Sequence, residues 1–252
     1  MKRGQLYLAA SSGNPQMLRV IRYTAPLALL LLAGSAHADD LYYVAVFASQ
    51  TIPANPDDSH TFAAFVRASG EGPCPTTFAI EDSFCISWLP ANLKVRTRAL
   101  LPECGHNFGL HETIDYALAN DERVSVWGPY RIDKELYDNA RRQIGVLERG
   151  EVRYKAVDSG RRTDKVSNCI HAVSDCAQRG RLRILSPGFG QTASWTVTQR
   201  FRPFILDTRE THEWVYSYLG LEEYPIYRRD FGRNPRTGFY WSRIKLLLGM
   251  DP

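Results

Sequence analysis

The chain is defined first by what it lacks. It has no long hydrophobic run: its one sustained apolar stretch, residues 25–34, is about half of the roughly 20 residues needed to cross a bilayer. A multi-span membrane protein is therefore excluded. It also lacks an excess of charge in its body. The formal net charge of +4 comes from Lys2, Arg3, Arg19 and Arg22, and removing these four from the 31 basic residues leaves 27 against 27 acidic ones. A neutral remainder has no electrostatic footprint for nucleic acid. Internal repeats and low-complexity tracts are missing, and the 44% hydrophobic and 23% charged content rules out disordered, collagen-like and coiled-coil chains.

Two ligand motifs are incomplete as well. Gly188-Phe189-Gly190 is followed by Gln191-Thr192 and no lysine, so it reads as a turn rather than a phosphate loop. Cys104-Gly105-His106 with His111 has no established zinc spacing and no fourth ligand. No metal and no cofactor is expected.

The N-terminal segment carries a positive signature instead. Arg19 and Arg22 precede the apolar stretch, and Ser35-Ala36-His37-Ala38 follows as a small-residue cleavage site before Asp39. This order reads as a signal peptide over residues 1–38, cleaved after Ala38 during export from a bacterium-like cell. The expected location is periplasmic or secreted, with no integral membrane span after signal removal. Met17 would make a more ordinary start. The remaining chain suits one α+β domain over residues 39–200, with an aromatic and basic extension over 201–252 packed on it.

Cysteine is scarce and odd in number: Cys74, Cys85, Cys104, Cys169 and Cys176. An oxidising compartment permits bridges, and an odd count leaves one thiol over. Cys169 and Cys176 fall in a segment read as helix, where seven residues span about 10 Å, too far for a bridge. The economical pairing is Cys74 with Cys85 and Cys104 with Cys176, with Cys169 unpaired.

Periodicity predicts strands over 41–47, 60–67, 84–89, 124–127 and 152–156, the fourth broken by Gly128-Pro129. The clearest helix covers 133–149, capped by Asp133 and ended by Gly150. A short helix is expected over 110–118, and another begins near Ser167 or Asn168 as N-cap. Residues 193–198 read equally as strand or helix.

Cys169 then lies in a first helical turn, where unpaired N–H groups and the positive end of the helix dipole favour a thiolate. A thiol nucleophile needs a base, and His60, at the start of a strand after a polar loop, is the candidate. His171 lies two residues beyond Cys169, points away from it on a helix, and reads as structural. Asn168-Cys169-Ile170-His171-Ala172 matches four of five positions of an Asn-Cys-x-His-Phe signature. With His60 upstream, this resembles the circularly permuted papain-like proteins, which include NlpC-like cell-wall hydrolases and lecithin:retinol acyltransferase-like enzymes. The resemblance covers residues 41–176. It implies a small antiparallel sheet packed on helices, Cys169 as nucleophile and His60 as base. For the residue orienting His60 it leaves His106, His111, Glu81 and Ser87 open, with His106 as the choice. The implied function is an exported cysteine hydrolase or acyltransferase acting on amide or ester bonds, with peptidoglycan or another envelope component as substrate. The alternative is an inactive exported binding module with structural disulfides. Its binding surface would be residues 224–245, which carry six basic residues and one acid among aromatics.

Overall fold

Side chains on a strand alternate between the two faces of a sheet, and that alternation builds the centre of this molecule. The computed structural model describes residues 39–70, 78–158, 161, 165–183 and 189–235. The chain divides into units 1–38 and 39–252, and every described residue belongs to the second. The expected signal peptide, Cys74, Gly188 and residues 236–245 of the basic stretch lie outside the described residues.

Five strands, β1 (Asp39–Gln50), β2 (Ser59–Gly70), β3 (Ala79–Ile86), β6 (Arg123–Ile132) and β9 (Tyr227–Arg229), form one sheet in the order β3-β2-β1-β6-β9. Its pairs are antiparallel except β6 with β9. A second sheet, β4-β5-β7-β8, contains β4 (Trp88–Pro90), β5 (Glu103–Asn107), β7 (Arg153–Tyr154) and β8 (Val166–Ser167). Its last pair is parallel. The helices are α1 (Leu110–Ala119), α2 (Lys134–Glu148), α3 (Cys169–Ser174), α4 (Gly190–Phe201) and α5 (Glu213–Tyr218). The class is α+β as expected, but in place of one antiparallel sheet there are two mixed ones.

One face of the larger sheet presents Val44, Val46, Ala63 and Phe65 to α2, α3 and α4, through Leu136, Ala172 and Phe201. The other presents Ala45, Phe47, Phe62 and Ala64 to α1 and α5, through Ile114 and Val215. Both faces of the central strands are covered, which explains the near-continuous apolar run of β1.

Local chemistry sets the element ends. Asp133 caps α2 by accepting the Leu136 N–H at 3.0 Å. Asn168 caps α3 by accepting the His171 N–H at 2.8 Å, so Asn168 rather than Ser167 fills that position. Residues 193–198 resolve as helix within α4, whose Ser194 hydroxyl reaches the Phe47 carbonyl at 2.8 Å. Gly128-Pro129 does not end its strand. It forms a bulge opposite β1, and Gly128 takes φ +92 with the Val44 carbonyl too close to admit a side chain. The extra residue switches parity, so that Trp127 and Tyr130 share one face.

The segment expected as one strand over 84–89 is divided at Ser87, where the chain leaves the first sheet for the second. Asn107 supplies the missing backbone partners there: its amide accepts the Ser87 N–H and donates to the Cys85 carbonyl, each at 2.9 Å. Gly105 of β5 lies so close to the Trp88 indole that a Cβ would overlap the ring. Of the strand expected over 152–156, only β7 forms. Helix α4 runs through residue 200, and β9 of the C-terminal segment completes the sheet beside β6.

Candidate functional site

Cys169 is the first residue of α3, as its N-cap dictates, and it is a thiol. Its sulfur receives the backbone N–H groups of Thr61, Ile170 and Cys169 itself, all favouring the thiolate. Burial outweighs them: the side chain is 7% exposed and the thiol is pushed up to about 11. A neutral thiol at this depth is a poor nucleophile without a base.

Among the described residues no imidazole is bonded to it. Helix α3 packs against the β2 face that carries Ala63 and Phe65, whereas the His60 ring stacks on Phe62, on the other face, with centroids 5.3 Å apart. The N–H of Thr61, the next residue, nevertheless reaches the sulfur. The Nε2 of His60 bonds Ser87 Oγ at 2.9 Å, and its Nδ1 has no hydrogen-bond partner among the described residues. Burial pulls the ring down to about 3, so it is neutral near pH 7.

The remaining candidates are dispersed. His106 is exposed on β5 with its ring edge-on to Phe108 at 4.6 Å, and it makes no hydrogen bond among the described residues. His111 bonds the Tyr224 hydroxyl at 3.2 Å and Glu81 accepts from Ser69. Ser87 alone of the four possible orienting residues touches His60. The bridge expected between Cys104 and Cys176 is absent: Cys104 is an exposed thiol, while Cys176 is in the core with its Sγ toward the Ala172 carbonyl. Their elements lie in different layers, so spacing along the chain was no guide. Cys85 is likewise a buried thiol, pushed up by burial, so the expected Cys74–Cys85 bridge is absent too. Among the described residues no three His, Cys, Asp or Glu side chains converge as metal ligands.

Two polar assemblies had no motif in the sequence. His171 directs Nδ1 to Asp158 Oδ2 at 2.6 Å and Nε2 to the Leu182 carbonyl at 2.8 Å. Arg181 completes the group at 3.5 Å from Asp158 and 3.6 Å from Asp175, and all four side chains are at least nine-tenths buried. With both nitrogens committed, His171 holds the 158, 171 and 182 segments together and is no base for Cys169. A 260 Å³ cavity adjoins this group, lined by Asn139, Arg142, Gln143, Lys165, Gln178 and Arg181 among others. Lys165 pairs with Glu151, and Arg181 faces its own acids, so most of the cavity's positive charge is already answered.

The second assembly is on the β6–β9 edge. Parallel pairing sets Tyr227 opposite Ser125 and Arg229 opposite Trp127, which brings Arg123 and Arg229 to one face. The Arg123 and Arg229 guanidinium carbons lie 4.8 and 5.9 Å from the Tyr227 ring centroid. Burial lowers the Arg229 value, and the charges of Arg123 and Arg233 lower it further. Among the described residues none of these three arginines forms an ion pair. Arg228, on the opposite side of β9, pairs with Glu213 and lies 4.1 Å over the Tyr216 ring. No protein-family profile, curated protein or solved structure matches the chain.

Proposed function

We propose that this chain is a binding module of the cell envelope that holds an anionic polymer on its β6–β9 edge. The supporting observation is the gathering of Arg123 and Arg229 on Tyr227, with the Arg233 charge acting on Arg229, and no carboxylate among the described residues paired to any of the three. Like charges held together cost free energy unless an anion joins them, and a guanidinium fork with an aromatic face suits carboxylate or phosphate. Export, which the N-terminal pattern leads us to expect, would put this edge beside polymers of that charge. Peptidoglycan, with its peptide carboxylates, is the proposed partner.

The test is co-sedimentation of the full chain with purified, lipid-free peptidoglycan. Arg123→Gln with Arg229→Gln removes two partly exposed charge contacts, each worth about 0.5–1 kcal/mol, and should weaken binding roughly 5- to 30-fold. Sedimentation unchanged by the pair of substitutions would refute the proposal.

A permuted papain-like thiol hydrolase remains as a second reading because one observation favours it: the first turn of α3 lies against β2, so the residue after His60 donates to the Cys169 sulfur. That reading requires the Nδ1 of His60, which has no partner among the described residues, to reach the sulfur while Nε2 keeps Ser87. It predicts release of peptide fragments from peptidoglycan, abolished by Cys169→Ala. The binding reading predicts no release.

A further inference from the structure

The connection between β4 and β5, residues 91–102, is irregular, with turns at 91–92 and 97–98, and is held by its own contacts. The Tyr116 hydroxyl donates to the Leu93 carbonyl at 2.8 Å, and the Thr97 N–H donates to Asp57 Oδ1 at 2.8 Å. Arg96 pairs with Glu103 at 2.6 Å, and the Ala99 N–H reaches the Arg96 carbonyl at 3.1 Å. Along this strap residues 93, 95, 97 and 99 are partly buried, whereas Lys94, Arg96, Arg98, Leu100 and Leu101 are exposed. Leu100 is 87% and Leu101 80% exposed, the most exposed large apolar side chains among the described residues. Lys94 and Arg98 form no ion pair among the described residues, and the nearby carboxylates are engaged, Asp57 by Thr97 and Asp58 by Asn55.

Two adjacent leucines held in water by a braced loop gain from transfer to an apolar phase. The exposed cations of the same strap select the phase. A protein pocket would have to desolvate them, whereas the headgroup layer of an anionic bilayer pairs with them while the acyl region takes the leucines. We propose that the 91–102 strap docks the protein on an anionic lipid surface, with Leu100 and Leu101 entering the interface and Lys94 and Arg98 meeting lipid phosphates. This contact is independent of the arginine edge proposed for polymer binding.

The experiment is hydrogen–deuterium exchange on the full chain with phosphatidylcholine vesicles, with and without phosphatidylglycerol. Exchange reports on the strap itself, whatever other parts of the chain touch lipid. Expected is protection of the 91–102 amides with phosphatidylglycerol vesicles, lost in the Leu100→Ser, Leu101→Ser variant, whose exposed positions leave the core untouched. Lys94→Gln with Arg98→Gln should raise the lipid concentration needed for half-protection roughly 30-fold, at about 1 kcal/mol per cation. Absence of protection in the native chain, protection that survives the leucine substitutions, or equal protection by pure phosphatidylcholine would each overturn the proposal. Lipid-free peptidoglycan leaves the strap's exchange unchanged, so failure here and failure of the polymer reading are distinguishable.

Discussion

Replacing His60 by glutamine tests whether this ring is a buried neutral group or a working base. The imidazole is 5% exposed, and burial lowers it from the ordinary value of 6.5 to about 3. Because the folded value is depressed, the native protein refuses a proton that the unfolded chain accepts. The stability attached to His60 is therefore complete above about pH 6.5 and is lost progressively as the pH falls toward 3. Each pH unit in that window is worth about 1.4 kcal/mol, so acidification from about pH 7.5 to 5 should cost the native chain about 2 kcal/mol through this residue alone. Glu122, lining the same small cavity, runs the other way, because burial raises it from 4.5 to about 7. The informative quantity is thus the difference between native and His60→Gln proteins, which cancels Glu122. Urea unfolding at the two pH values should show that difference shrinking by about 2 kcal/mol in acid. Parallel pH profiles would refute the reasoning and would mean that the ring already titrates near its ordinary value, as a solvent-reached base does.

Other outcomes follow from the same geometry. Asp158→Asn removes the carboxylate facing both His171 and Arg181, and breaking a buried charge network should cost about 3–5 kcal/mol in denaturant unfolding. Gly105→Ala places a methyl group in the Trp88 indole, so it should destabilise the second sheet by about 1–3 kcal/mol and alter the tryptophan near-ultraviolet dichroism. In native protein iodoacetamide should label exposed Cys104 well before buried Cys169.

Much of the local structure was legible in the sequence, since its causes lie within a few residues. Asp133 and its apolar repeat specify α2, Asn168 specifies where α3 begins, and β-prone runs specify β1 and β2. Where a local signal misled, a partner distant in sequence had changed its meaning. Gly128-Pro129 reads as a break but becomes a bulge because β1 holds the strand on both sides of it. Residues 84–89 read as one strand until Asn107 supplies the bonds that let the chain change sheets at Ser87.

The site residues divide along the same line. Sequence alone established that Cys169 starts a helix and that His60 starts a strand, because caps and alternation are short-range. Only the tertiary structure decided what surrounds each group: α3 packs by Ala172 on the Ala63 and Phe65 side of β2, and the His60 ring turns to Phe62 and Ser87. Likewise Arg123 and Arg229, more than 100 residues apart, become neighbours only when β9 pairs with β6. Strand register and layer order follow from the burial of many side chains at once, and no short motif encodes them.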